Sequence, residues 1–283
     1  MFQSTYIPPS PVSDSLLARD GTRLALHRWP GEGTRGTVLI VHGLGEHAGR
    51  YAHVAAWFAA RGLNCIAYDH RGHGRSEGAR GVLPSGTALR DDLGVVVDAV
   101  RPKDRPFVLL GHSMGGAVVA DFVARRVRSA DLVLLSSPAL RARLSLFQRL
   151  QLAIGERLAP DLAQPNGLDP AMISHDAAVV QAYINDPLVH DRVSARLARA
   201  ILDAGHAALA AAPKWDTATL LIYAGADRLV DPSGSDAFAA SAPGAVVEAK
   251  RFDALYHEIL NEGTLAAPVF ARIEQWLEAR LPR

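Results

Sequence analysis

One serine of this chain stands where a hydroxyl could become a nucleophile. The run Gly111-His112-Ser113-Met114-Gly115-Gly116 directly follows the apolar residues Phe107-Val108-Leu109-Leu110 and precedes Ala117-Val118-Val119-Ala120. A G-x-S-x-G pentad alone is common, but between a strand and a helix it predicts a sharp turn that aims the serine Oγ into a cleft. The glycines serve that turn: the backbone must reverse tightly, leave room for packing beneath it and hold Ser113 in a strained conformation. The competing reading, an ordinary glycine-rich loop, does not account for the flanking pattern.

A serine hydroxyl is a weak nucleophile without a base, so a carboxylate and then a histidine are expected later in the chain. Of the 11 histidines, His257 in Leu255-Tyr256-His257-Glu258 follows the last apolar run and can return over Ser113. His175, His190 and His206 fall in a region read below as a lid. The acid is expected where residues 220–223 run into Ala224-Gly225-Ala226-Asp227-Arg228-Leu229-Val230-Asp231. Asp227 lies nearer the strand end and would fix the His257 tautomer and stabilise its imidazolium. Asp231 is the fallback, its other reading being a turn residue before Pro232.

Attack on an acyl group also needs donors for the oxyanion. One is expected at the Met114 N–H, directly after the serine at a helix N-terminus, and one in the loop His42-Gly43-Leu44-Gly45, where the Leu44 N–H is the candidate. The charged, glycine-rich run Asp69-His70-Arg71-Gly72-His73-Gly74 invites a phosphate or metal reading. It lacks a Walker pattern and the ligand spacing of a zinc site, so a structural role bracing the neighbouring loops is expected. Cys65, the single cysteine, sits in an apolar run and reads as a buried hydrophobe.

The elements that must hold these residues follow from hydrophobic periodicity. Residues 16–19 and 24–29 flank Asp20-Gly21-Thr22 and predict a hairpin at the edge of a sheet. From residue 37 onward near-continuous β-branched and aliphatic runs alternate with helical patterns, the mark of parallel strands buried on both faces. Strands are predicted at 37–41, 64–68, 107–110, 131–136, 220–223 and 246–252. Helices are predicted at 51–61, 87–100, 114–126, 233–241 and 264–281, with Pro268 in the first turn of the last. Between Pro138 and Pro213 the alternation stops; helical patterns broken at Pro160, Pro165, Gly167, Pro170 and Pro187 predict a helical cap. The expected architecture is an α/β fold with a mostly parallel sheet, an N-terminal antiparallel edge and helices on both faces: a core of residues 1–137 and 214–283, and a cap of residues 138–213.

With 30 basic and 29 acidic side chains, the chain has no overall field to attract nucleic acid. No apolar run approaches the roughly 20 residues that span a bilayer. Met1-Phe2-Gln3 followed by Pro8, Pro9 and Pro11 offers no signal-peptide pattern, so a cytoplasmic protein is expected. The stretch holding Arg141, Arg143, Arg149 and Arg157 with Leu144, Leu146, Phe147, Leu150, Leu152 and Ile154 reads mainly as a cap helix packed on the domain. Its second reading is peripheral contact with a membrane or micelle.

Taken together, the motifs resemble the monoglyceride lipase and lysophospholipase branch of the α/β-hydrolases. The resemblance runs through His42-Gly43-Leu44-Gly45-Glu46-His47, Arg50-Tyr51, residues 69–76, 111–116 and 226–231, and Tyr256-His257-Glu258, and reaches Tyr183-Ile184-Asn185-Asp186-Pro187-Leu188 in the cap. It implies a triad of Ser113, Asp227 and His257 with Leu44 and Met114 as oxyanion donors. It further implies that Glu46, Arg50, His112 and Tyr183 lie near the glycerol end of a monoacylglycerol; Glu46 and Arg50 also read as a loop ion pair, and His112 as a packed elbow residue. One position departs, since Leu260 stands where some relatives carry a second histidine. The implied activity is hydrolysis of monoacylglycerol through an acyl-enzyme, with no cofactor and no metal. The runner-up is a lysophospholipase or short-chain carboxylesterase, and a non-catalytic ligand-binding protein is the remote alternative.

Overall fold

The structure, a computed structural model, describes residues 12–31, 35–143 and 145–281. The N-terminal prolines and Leu144 lie outside these residues, as do the side chains of Phe147 and Arg149. The chain opens with the expected hairpin, β1 (Val12–Leu17) and β2 (Arg23–Trp29), antiparallel with Leu16 opposite Leu24. Gly21, at φ 86°, makes the turn. β1 begins earlier than expected, at residues of no apolar alternation, because the ladder to β2 rather than burial defines it.

Then follow β3 (Gly36–Val41), α1 (Ala52–Ala59), β4 (Leu63–Tyr68), α2 (Ala88–Val100), β5 (Phe107–His112), α3 (Met114–Ala124) and β6 (Leu132–Ser136). After a long excursion come β9 (Thr219–Ala224), α7 (Ser233–Ser241), β10 (Val247–Phe252) and α8 (Ala267–Glu278). The eight-stranded sheet has the order β1-β2-β4-β3-β5-β6-β9-β10. β2 runs antiparallel to β4, and every pair from β4 to β10 is parallel. β3, β5, β6 and β9 are buried along their full length, which is why their sequences are apolar without alternation.

Two cores result. On one face α2, α3 and α7 pack on Leu39, Leu109 and Leu221 through Leu93, Val97, Phe122 and Phe238. On the other, α1 and α8 cover Ile40, Leu110 and Ile222 with Val54, Phe58, Val269 and Trp276. Cys65 belongs to this second core and burial pushes its thiol pKa up.

The excursion between β6 and β9 holds α4 (Leu146–Leu158), α5 (Ala177–Asn185) and α6 (Ala195–Ala211), with a two-residue antiparallel pair, β7 (Gln164–Pro165) and β8 (Arg192–Val193), that periodicity cannot reveal at that length. α6 is not remote from the sheet domain: Leu197 and Ala208 enter the first core, and Gly205 lies so close to the Leu140 carbonyl that a Cβ would sit 2.6 Å from its oxygen. α4 departs from expectation. It starts at a capping box, Ser145 with Gln148, but its Leu146, Leu150, Ile154 and Leu158 are 85, 58, 49 and 80% exposed. Spaced four apart, they form one stripe turned away from the domain, so the packed-helix reading fails for them. Among the described residues no helix is long and apolar enough to cross a membrane.

The carboxyl ends of the parallel strands all open on one edge of the sheet, where α/β folds place ligands. α3 reaches this edge only because Gly115 has no side chain: a Cβ there would lie 2.1 Å from the Val41 carbonyl oxygen and 2.4 Å from that of His42. Gly115→Ala is therefore expected to lower stability by about 3 kcal/mol, the upper end of overpacking costs, read as a shift in the urea midpoint at unchanged slope.

Candidate active site

β5 extends two residues beyond the expected end because Gly111 and His112 pair with Leu135 and Ser136. The chain then turns at Ser113, whose φ of 54° and ψ of −120° lie in a region that costs a non-glycine residue about 1–3 kcal/mol. The turn is over-determined: the Ser113 N–H donates to the Ser136 carbonyl at 3.1 Å, and its own carbonyl accepts from Ala117 and Ala139 at 3.1 and 2.9 Å. Met114 is the first residue of α3, so its N–H has no carbonyl a turn earlier within the helix and remains available to an anion.

Ser113 and His257 face one cavity of about 350 Å³, which Gly43, Leu44, Glu46, His112, Tyr183 and Glu258 also line. His257 sits in the loop after β10, and its Nδ1 lies 2.6 Å from Asp227 Oδ2. The other Asp227 oxygen accepts from the N–H groups of Leu229 and Val230, each at 2.9 Å. Burial opposes the Asp227 charge, but the His257 imidazolium and these three hydrogen bonds hold its carboxyl below the ordinary range. Burial likewise opposes a charged His257, yet the Asp227 carboxylate, with Glu258 and Glu46 behind it, raises its pKa above the usual value. Of the two aspartates, Asp227 is the one that contacts His257, whereas Asp231 Oδ1 accepts from the Ser233 N–H at 3.1 Å and shapes the turn into α7.

The loop after β3 is held by a buried ion cluster. Glu46 Oε1 accepts from the Gly43 N–H at 2.6 Å and from the Tyr51 hydroxyl at 2.7 Å, while Oε2 accepts from Arg50 at 2.7 Å. Arg50 also grips both oxygens of Glu258 at 2.7 Å, and Asn261 donates to Glu258 at 2.8 Å. The guanidinium lies 4.7 Å from the Tyr183 ring centroid, so the excursion between β6 and β9 meets the loop after β3 on it. Burial penalises both charges, but Arg50 holds the Glu46 carboxyl low, and Glu258 and Glu46 push the Arg50 pKa further up. His112, beside the His257 ring at 4.8 Å between centroids, hydrogen-bonds the Ser136 hydroxyl at 3.2 Å. Burial, with the neighbouring His257 charge, pushes its pKa down to about 3. Glu46, His112 and Tyr183 therefore line the cavity, whereas Arg50 stands behind Tyr183 with its hydrogen bonds turned to carboxylates.

The Asp69 loop meets the same edge from below. His42 Nε2 accepts from the His70 N–H at 2.9 Å, which places the His42 proton on Nδ1, where it donates to the Gly43 carbonyl at 2.8 Å. Asp69 accepts from the N–H groups of Ala48 and Arg75 at 2.8 Å, and Arg71 binds both oxygens of Asp92. These bonds brace the loop that carries Leu44. Leu260, at the departing position, is 2% exposed and packs into the second core. The sequence reading gave no role to Tyr51 or Asn261; the signal for both was their place beside charged residues in otherwise apolar surroundings.

Sheet, elbow and His–Asp pair together define an α/β-hydrolase. The chain belongs to the family described as serine aminopeptidase, S33, matched over residues 32–264, and is a carboxylic ester hydrolase of its monoglyceride lipase branch. It is 36% identical over 250 residues to the monoacylglycerol lipase of Mycolicibacterium smegmatis, covering 86% of this chain and 88% of that protein. It is 33% identical over 274 residues to an uncharacterised abhydrolase domain-containing protein of Dictyostelium discoideum; the match covers 94% of this chain but only 29% of that longer protein. The crystal structure of Paleococcus ferrophilus monoacylglycerol lipase superposes with a TM-score of 0.82 at 31% identity, over 90% of this chain and 99% of that one.

The ion pair ties stability and activity to pH in opposite senses. The raised His257 pKa stabilises the fold fully below its unfolded value of about 6.5 and loses its contribution as pH rises through the folded value. The depressed Asp227 pKa contributes above about 3.9 and is lost as pH falls through the folded value. The pair is most stabilising between these limits, while base chemistry at a neutral imidazole requires higher pH. The acid limb of kcat/KM for p-nitrophenyl butyrate is expected above about pH 6.5. In Asp227→Asn it should move to lower pH while kcat drops on the order of 10⁴-fold. A limb that stays in place would contradict the ion-pair origin. Arg50→Met, which strands two buried carboxylates, is expected to cost about 3–5 kcal/mol in urea unfolding.

Proposed function

We propose that the chain hydrolyses esters of single-chain lipids, most directly monoacylglycerol to glycerol and a free fatty acid. Ser113 Oγ attacks the ester carbonyl as His257 Nε2 takes its proton, and Asp227 holds Nδ1–H and the imidazolium that forms. The tetrahedral oxyanion is received by the N–H groups of Leu44 and Met114. Collapse expels the alcohol with the proton from His257, leaving an acyl-enzyme on Ser113 that water, activated by the same histidine, cleaves to the acid. No cofactor enters this sequence.

The observation that carries the reading is the shared cavity: an elbow serine and an aspartate-bound histidine open on a space walled by Leu168, Pro170, Ile173, Ile184, Val189 and Leu229, with Glu46, His112 and Tyr183 among its polar members. About 350 Å³ is near the lower end of the roughly 300–1,000 Å³ of small-molecule sites, a size suited to one acyl chain. In this reading Glu46, His112 and Tyr183 face the alcohol, and Arg50 supports them from behind. The likeness to monoacylglycerol lipases supports the choice of glycerol as leaving group. We also infer that residues 138–213 act as a cap over the core of residues 1–137 and 214–283. Its exposed α4 stripe would rest on a membrane or micelle, flanked by the exposed Arg141, Arg143 and Arg157.

The test is fatty-acid release from monoacylglycerols of graded chain length beside a matched lysophospholipid. Wild type is expected to prefer monoacylglycerol, and Ser113→Ala to lose about three orders of magnitude or more. Preference for the lysophospholipid would move the assignment to lysophospholipase; turnover of neither would refute the lipid reading.

A further inference from the structure

Glu262 follows the proposed base by a few residues on the same loop and is 1% exposed. Four donors fill its carboxylate. Oε1 accepts from the Tyr256 N–H at 2.6 Å and from His175 Nδ1 at 2.9 Å, and Oε2 accepts from the His175 N–H at 2.7 Å and the Ser174 hydroxyl at 2.9 Å. Three of these donors belong to the excursion between β6 and β9; the fourth, the Tyr256 N–H, belongs to the residue just before His257. The residue just after His257 is held by the same excursion, because the Glu258 N–H donates to the Ile173 carbonyl at 2.8 Å. The His175 ring stacks on Tyr256 with centroids 3.7 Å apart, closing the junction. Ile173 in turn lines the cavity that His257 faces.

From this geometry we propose that Glu262 is a positioning residue: it fastens the Ser174-His175 segment to the backbone just before His257, and the adjoining Ile173 carbonyl holds the residue just after it, so that seating of the cap and aim of the base are set together. The chemistry requires a carboxylate. Each oxygen accepts two bonds, whereas a glutamine would keep one accepting oxygen and turn an NH₂ toward two donors. An arginine or lysine in the junction is not needed, since charge-assisted bonds from N–H groups and a hydroxyl can hold a buried carboxylate. The junction thereby places an acyl-contact wall and a proton-transfer group on one fastener. Loosening it should harm the chemical step while leaving binding of a small substrate, which needs little of the wall, almost untouched.

The proposal rests on His257 as the base, and the experiment separates the two. Turnover of a short water-soluble p-nitrophenyl ester and the labelling rate of Ser113 by a fluorophosphonate are measured for wild type, Glu262→Gln, His257→Ala and the double variant. Thermal unfolding is followed in parallel. Glu262→Gln is expected to lower kcat about 10–100-fold, the range for removing a partner that orients a working imidazole, with KM within about twofold. In the His257→Ala background the same change should alter the residual rate less than about twofold, because a positioning residue has nothing left to position. An unchanged kcat in Glu262→Gln, or an equal loss in both backgrounds, would overturn the proposal and leave His257 as base. A His257→Ala variant with wild-type turnover would overturn both. Should Glu262→Gln not fold, His175→Ala, which removes one bond and the ring stack, is expected to lower kcat several-fold with the same dependence on His257; no loss would refute the coupling.

Discussion

One buried guanidinium holds the active edge together. Arg50 bridges Glu46, which fixes the Gly43 N–H of the loop after β3, and Glu258, which neighbours His257 in the loop after β10. Two loops far apart in sequence thus share a counterion, and their separation is set by the span of one side chain. Taking three charges out of water is costly, and such a cluster survives only when every oxygen and N–H is paired. Tyr51, Asn261 and the Tyr183 ring complete that pairing. Weakening Arg50 would release the loop after β3 and the loop that carries His257 at once.

The glycines of the elbow impose a second constraint, of shape instead of charge. Gly115 brings α3 against the ends of β3, and Gly116 brings it to Pro138, where a Cβ would lie 2.8 Å from the proline ring. The strain at Ser113 is sustained because the surrounding backbone cannot relax. Electrostatic and steric constraints therefore meet on the same few residues, and the proposed oxyanion donors Leu44 and Met114 are placed by one of each kind.

Much of this was legible in the chain. Parallel strands announced themselves as apolar runs without alternation, and the turn between residues 107–110 and 117–120 could be read from glycine spacing. The order serine, aspartate, histidine narrowed the candidates, but proximity to the strand end was a weak ground for preferring Asp227 over Asp231; the 2.6 Å contact with His257 is what distinguishes them. Glu262 carried no signal, because two of its four donors are backbone N–H groups, which leave no trace in residue type, and its two side-chain donors, Ser174 and His175, lie more than 80 residues away in sequence. The outward face of α4 was misread for a related reason: an apolar stripe specifies a helix face but not what it faces. Glu46 and Arg50 were legible as an ion pair, whereas their third member, Glu258, was visible only as a neighbour of His257.

The strand order also dictates when the site can exist during synthesis. Ser113 and its elbow belong to the first half of the chain, and β6 waits for β9 across the whole of residues 137–218 before its second edge is paired. Asp227 and His257 emerge from the ribosome only after that segment. A nascent chain that already presents Ser113 therefore lacks the Asp227–His257 pair, and a product of arrested translation would carry the elbow without its proposed acid and base.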